Sequence, residues 1–252
     1  MWGWLFAACI IALFLFFYYH QQCYYKTSHE VLFQKGTNHA DTPYIIISGN
    51  SGSGKSTLAK ELAALFHLHY IDIDHHRFLP AEKGHVWKNR EMQDFSKQVL
   101  NEIEKVKNQH SIQQYSSMDP PSQREISKNG WVVDGNVMNM DILISSHASI
   151  VLWLDYSWVV VLLRLIVRTT KRILFKTRVC NGNIETWYNQ LCSKDSLLLF
   201  TLKRFWNWKE HESRVVNWIK SNPHLTVYRF QSPHECKMFL TYNLPKMISI
   251  NK

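Results

Sequence analysis

The segment Gly49-Asn50-Ser51-Gly52-Ser53-Gly54-Lys55-Ser56, with Thr57 behind it, constrains this chain more than any other stretch. It satisfies GxxxxGK[ST] in full, with the apolar run YIIIS (Tyr44–Ser48) before it and the helical LAKELAALF after it. The expected local structure is therefore strand, tight loop, helix. Glycines let such a loop wrap so that successive backbone N–H groups point inward at phosphate oxygens, and the following helix adds its positive N-terminal end. Gly49 through Thr57 are thus candidate phosphate-binding residues. Lys55 is expected to bridge the outer phosphates and the Ser56 hydroxyl to complete a Mg²⁺ shell. A Gly/Ser-rich turn with an incidental lysine would need neither flank.

Apolar β-type runs alternate with helical stretches from Tyr44 onward, the pattern of an α/β domain built on a parallel sheet. The strand candidates are Tyr44–Ser48, His69–Ile73, Trp131–Asp134, Ser149–Asp155 and Leu225–Phe230. Helical spacing runs through Lys55–Phe66, Asn89–Lys107, Tyr156–Lys176, Ser196–Ser221 and Pro233–Tyr242. His110–Gly130, rich in Ser, Gln, Asp and Pro, reads as a surface loop, and no repeat is present. Tyr156–Val167 is strongly apolar yet too short to span a bilayer, and reads as a buried helix.

Three carboxylates stand where a parallel sheet presents its ligands. Asp134 ends the run WVVD and is a candidate to hold magnesium with Ser56; a turn aspartate in Asp-Gly-Asn is the plainer alternative. Asp72 and Asp74, at i and i+2, would share one face of an extended segment, with Asp74 nearer the loop and a candidate to orient a substrate; one of the pair would otherwise cap the next helix. His75 and His76 diverge from each other, find no further ligand spacing, and read as solvated.

The formal net charge is +9, which points to an anionic partner: nucleic acid, an acidic membrane or a phosphorylated small molecule. Much of the excess lies in one helix. Arg164, Arg168 and Arg172 recur at i, i+4 and i+8, and no acidic residue occurs from Tyr156 through Cys180. Beside a phosphate loop, that stripe is placed to neutralise charge on a transferred phosphoryl group; facing outward, it would suit lipid phosphates or RNA. Cys9, Cys23, Cys180, Cys192 and Cys236 make an odd, scattered set with neither a disulfide framework nor zinc spacing.

Met1–Tyr19 is uncharged in its side chains and has Trp2, Trp4, Tyr18 and Tyr19 at its ends. A bilayer core of about 30 Å takes about 20 apolar residues in a helix, so the run reads as a transmembrane anchor, a cleaved signal peptide being the rival. Lys26 and Lys35 on its C-terminal side place the remainder in the cytosol. The expected organisation is a single-pass helix (1–19), a polar linker (20–43) and one α/β domain (44–252) with an arginine-rich lid at about 164–185.

These segments resemble the small P-loop kinases, and within them the adenylate-kinase-related bacterial DNA-topology-modulation-type proteins. GNSGSGKSTLAKELA is similar to their first motif, HYIDIDHHRF with Trp87 to their second, and WVVDGN to their WxxDGN signature. The run LWLDYSWVVVLLRLIVRTTKR with NGNIE resembles their lid helix and GNxE element, and YRFQSPHE their final strand and adenine loop. The resemblance implies a P-loop NTPase fold of the nucleoside-monophosphate-kinase type, a five-stranded parallel sheet flanked by helices, with ATP and Mg²⁺. It also implies functional positions for Lys55, Ser56, Asp74, Asp134, Arg164, Arg168, Arg172 and Asn183. Asn136-Val137-Met138 stands where adenylate kinases carry an arginine two residues after Asp-Gly, so AMP is not singled out as acceptor. The expected function is transfer of the γ-phosphoryl group of ATP to a small acceptor. The rival expectations are a membrane-tethered nucleotide-binding module acting through a partner, and a basic-helix binder of nucleic acid or anionic lipid.

Overall fold

A computed structural model describes residues 35–36, 43–84, 86–115, 130–135, 147–193 and 196–243. The Met1–Tyr19 run, nearly all of the linker, most of the 110–130 insert and Asn136-Val137-Met138 lie outside the described residues. In chain order the elements are β1 (Tyr44–Gly49), α1 (Lys55–Leu65), β2 (His69–Asp72), α2 (Ile73–Arg77), α3 (Met92–Tyr115), β3 (Trp131–Asp134) and β4 (Ile150–Leu154). Then follow α4 (Trp158–Leu174), β5 (Arg178–Val179), β6 (Asn183–Ile184), α5 (Trp187–Leu191), α6 (Leu197–Trp206), α7 (Trp208–Ser221), β7 (Thr226–Phe230) and α8 (Pro233–Tyr242).

Five strands form one sheet in the order β2-β3-β1-β4-β7, every pairing parallel, while β5 and β6 form a separate antiparallel hairpin. Both faces of the sheet are covered, which is why its strands read as continuous apolar runs. Strand alternation sends Ile46, Val133, Val151 and Trp153 to one face, where Phe95, Val99 and Ile103 of α3 and Val215, Trp218 and Ile219 of α7 close over them. Ile45, Ile47, Val132, Leu152 and Leu154 go to the other, under Leu58, Ala59 and Leu62 of α1 and Cys236 and Phe239 of α8. Three layers thus hold β1 rigidly at the centre, with its C-terminal end opening into the loop that starts at Gly49.

Some elements depart from the sequence expectation. Asn89–Lys107 predicts a helix ending before the polar insert, but α3 runs on to Tyr115. Ser196–Ser221 is two helices, parting at Asn207, whose φ of −104° and ψ of 32° leave the helical basin. The reading of Tyr156–Val167 as a buried helix is half corrected: α4 buries Val161, Leu165 and Thr169, while Leu163, Ile166 and Val167 are 44–54% exposed. Among the described residues no helix is long and apolar enough to cross a membrane.

Candidate functional site

The loop from Gly49 to Gly54 folds over the C-terminal end of β1 and passes into α1. Gly52 has φ +92°, and a Cβ there would lie 2.8 Å from the Val161 carbonyl oxygen of α4, so only glycine lets the loop meet that helix. Gly54, at the helix N-cap, has φ +97° and open space around it, with the Arg164 guanidinium about 4.0 Å from where a Cβ would stand. The loop therefore rests on α4, and α4 presents its arginines beside the loop.

The Lys55 ammonium donates to the Asn50 carbonyl oxygen at 3.0 Å. Crowding by protein pulls its pKa down to about 8, against the upward pull of Asp74 and Asp134; Arg168 and Arg204 add to the depression. Asn50 Oδ1, Ser53 Oγ and Arg168 Nε are buried polar atoms without a hydrogen-bond partner. Such orphaned groups cost free energy wherever nothing meets them, so these three fit a loop shaped for a polar ligand.

Asp134 ends β3 with 3% exposure and accepts a hydrogen bond from the Tyr70 hydroxyl at 3.0 Å. Burial raises its pKa, Asp72 and Asp74 add to this, and the nearby Ser56 hydroxyl opposes it. The two groups expected to share a magnesium ion are therefore near enough to influence each other, and both are oxygen donors of the kind a hard cation takes. Ser56 and Thr57 themselves are exposed at the open end of α1.

Asp74 is in the cleft by a route other than the predicted one. β2 ends at Asp72, whose carboxylate accepts from the His75 backbone amide at 3.0 Å and caps α2, while Asp74 sits in the first turn of that helix. The expectation of two aspartates on one extended face is thereby corrected: the capping role falls to Asp72, and the helical turn sends Asp74 elsewhere. Asp74 keeps a solvent-facing surface at the cleft mouth. Crowding around its carboxyl raises the pKa, and Lys55 pulls it back.

His76 is not solvated as expected. Its Nε2 lies 2.6 Å from Glu102 Oε2 of α3, with His69 Nε2 2.8 Å from the other carboxylate oxygen. The helical turn of α2 aims the ring back at α3, which adjacency in sequence does not reveal. Among the described residues no histidine, cysteine and acidic cluster could hold a metal ion.

Of the arginine stripe, Arg164 is exposed near Gly54, and Arg168 is half-buried, its proton held less firmly because of burial and neighbouring Arg172. Arg172 pairs with the buried Glu185 at 2.9 Å and is thus committed to the fold. Asn183 is wholly buried, accepting from the Trp87 amide at 2.6 Å and donating to the Cys180 carbonyl oxygen at 2.7 Å, so it ties the β5-β6 hairpin together. That hairpin is fastened to the 78–90 segment: Trp87 Nε1 donates to the Ile184 carbonyl oxygen at 3.1 Å, and Asn181 Nδ2 to that of Phe78 at 3.0 Å. Cys180, close enough to feel Asp74, has its thiol pushed up to about 12 chiefly by burial, which denies it thiolate character.

Two residues that act on these groups, one in contact with Asp134 and one at a distance from Lys55, have little sequence signal. Tyr70 lies two residues before Asp72 and looks like an ordinary strand aromatic. Arg204 comes from α6, far along the chain; burial lowers its pKa to about 10, and its charge reaches Lys55.

A central parallel strand, a glycine loop wrapped over its end and a helix whose first residues are Lys55 and Ser56 define a P-loop α/β protein. No protein-family model matches the sequence, and no curated protein does. Among solved structures, the chain is similar to shikimate kinase from Bacteroides thetaiotaomicron, with 14% identity over 82% of this chain and 99% of that one at a TM-score of 0.43. It is also similar to shikimate kinase from Acinetobacter baumannii in complex with shikimate (15% identity, 84% and 95%, TM-score 0.43). A third similarity is to a gluconokinase from Sinorhizobium meliloti 1021 (13% identity, 84% and 91%, TM-score 0.39). The class assignment rests on strand order and loop geometry, independently of these likenesses.

Proposed function

We propose that the chain is an ATP-dependent phosphotransferase that passes the γ-phosphoryl group to a small hydroxylated acceptor. The observation that carries this reading is that Lys55, at the start of α1 behind the glycine loop, lies within reach of the charges of Asp134 at the end of β3, Asp74 in the first turn of α2 and Arg168 of α4. A module built only to hold a nucleotide needs the first two of these. A carboxylate across the cleft from Lys55 supplies what a phosphoryl acceptor needs.

In this reading the loop amides and Lys55 hold the outer phosphates, and Arg164 and Arg168 meet charge that grows on the transferred group. Asp74 orients the acceptor hydroxyl and is placed to take its proton. Mg²⁺, held by Ser56 and Asp134, would supply charge neutralisation on the phosphates. With the Cys180 thiol protonated, direct transfer is favoured over a covalent intermediate on that residue. The remaining expectations, a Met1–Tyr19 anchor and a cytosol-facing domain, belong to the same proposal and rest on the sequence.

The test is a screen of nucleotides and small hydroxylated metabolites with labelled ATP. Transfer to one acceptor, lost in Asp74→Asn while ATP binding persists, supports the proposal. Tight ATP binding with no labelled product from any acceptor would leave a nucleotide-binding module instead.

A further inference from the structure

Helix α4 has three faces. Val161, Leu165 and Thr169 are buried, Arg164, Arg168 and Arg172 form the stripe beside the loop, and Leu163, Ile166, Val167 and Leu174 project outward with 44–67% of their surface exposed. A helical period of 3.6 residues sets those four in one continuous stripe on the side opposite the core. Phe175, which follows directly, is 78% exposed. An outward stripe on a surface helix ordinarily carries charge, so this one calls for an occupant.

The surroundings select the occupant. Exposed Lys171 and Lys176 stand at the C-terminal end of the stripe, and no acidic residue occurs from Tyr156 through Cys180. Apolar side chains edged by lysines, with no opposing charge, suit the boundary between acyl chains and anionic headgroups. The same lysines would repel each other across a face shared by two copies. Outside the described residues the chain also carries the uncharged run Met1–Tyr19, with residues 20–43 between it and the sheet. The Gly36 amide donates to the Thr226 hydroxyl of β7 at 3.1 Å, so residues 20–35 separate that uncharged run, in sequence, from a fixed point on the sheet.

We propose that the outward stripe of α4 seats on the surface of an anionic phospholipid bilayer. The helix then has three occupants on three faces: the protein core, the phosphate cleft and the lipid.

The experiment uses the full chain reconstituted in phosphatidylserine-rich vesicles, with an environment-sensitive fluorescent amino acid at Val167 or Leu174 and, as a control, at the exposed Glu104 of α3. Brominated acyl chains should quench the label at Val167 and Leu174 and leave that at Glu104 bright. Lys171→Ala and Lys176→Ala should each lower the docked-to-undocked ratio by about fivefold, and phosphatidylcholine vesicles should show less quenching than phosphatidylserine ones. The readout reports docking of α4 and is blind to tethering by the N-terminal run. Bright labels at Val167 and Leu174 on floated vesicles would overturn the proposal. So would equal quenching at Glu104, quenching indifferent to headgroup charge, or cross-linking of the stripe to a second copy.

Discussion

Two charged clusters sit at the carboxyl edge of the same sheet and are built on opposite principles. At the end of β3, Asp134 accepts a hydrogen bond from the Tyr70 hydroxyl and has Ser56 nearby, while Arg168 Nε and Ser53 Oγ, on α4 and in the loop, have no hydrogen-bond partner. Just past β4, Asp155 meets Arg229 of β7 through both Nε at 2.9 Å and Nη2 at 2.6 Å. Glu212 of α7 takes Arg229 Nη2 again at 2.7 Å, and the guanidinium lies 4.4 Å above the Trp153 ring. The first cluster leaves charge to be answered by a ligand, whereas the second answers its own. In the proposed reading, buried charge serves binding in one place and cohesion in the other.

The difference is open to attack from either side. Arg229→Ala removes the guanidinium from the buried Asp155 and the half-buried Glu212, and should lower unfolding free energy by about 3–5 kcal/mol while sparing ATP affinity in the folded fraction. Denaturant melts of the variant check this. A loss below about 1 kcal/mol would mean that the second cluster is not cohesive, and the contrast would fall.

Lys55→Ala removes charge from the first cluster. It should cost about 10²–10³-fold in ATP-dependent turnover and leave the melting temperature unchanged or higher, since a desolvated ammonium is relieved. The depressed pKa adds a sign. Phosphate raises it again on binding, so ATP should be taken up with a proton above about pH 8, and its affinity should fall as pH rises there. Calorimetry in buffers of differing ionisation enthalpy reads that proton directly; equal heats in all buffers above about pH 8 would contradict a buried, cationic phosphate ligand.

Tyr70→Phe tests the orientation of Asp134 and not its charge. Groups that orient a metal ligand commonly contribute about 10–100-fold in metal affinity, so the Mg²⁺ concentration for half-maximal turnover should rise by that order with saturating turnover preserved. An unchanged Mg²⁺ dependence would reduce Tyr70 to packing.

How much of this was legible beforehand depends on the range of the physics involved. Gly49–Thr57 and the apolar runs around it are local signals, and strand, loop and helix stand where those residues predict them. Trp131–Asp134 is a strand with the predicted bounds, because a fully buried strand needs no partner to be recognised as apolar. Asp74 stands out in the sequence as a carboxylate, but its geometry does not, since one helical turn after Asp72 decides where it points. Arg204, Arg229 and Glu212 were not legible as site or cluster members. Their roles exist only when α6, α7 and β7 come together, and nothing in a solitary arginine announces its partner. The Arg164/168/172 period was visible, yet the commitment of Arg172 to Glu185 was not, because that partner lies beyond the helix end.

The smallest effect concerns a third charged cluster, intermediate between the two. Glu102 bridges His69 and His76 from beneath α2, and its side chain and theirs are only 22–29% exposed. Hydrogen bonds from His69 and His76 hold the Glu102 pKa down at about 2, and the bond to Glu102 raises that of His76. A depressed carboxylate contributes stability that is present above its unfolded value of 4.5 and is lost as pH falls toward about 2. A raised histidine contributes stability that is present below its unfolded value of 6.5 and is lost as pH climbs through its folded value. The cluster is therefore strongest between about pH 4.5 and 6.5. Glu102→Gln should cost about 1 kcal/mol within that window and progressively less above and below it. Melting temperatures of both proteins across the range decide the matter. A constant difference at every pH would show that Glu102 acts through packing alone, and that α2, with Asp74 on it, is held without help from charge.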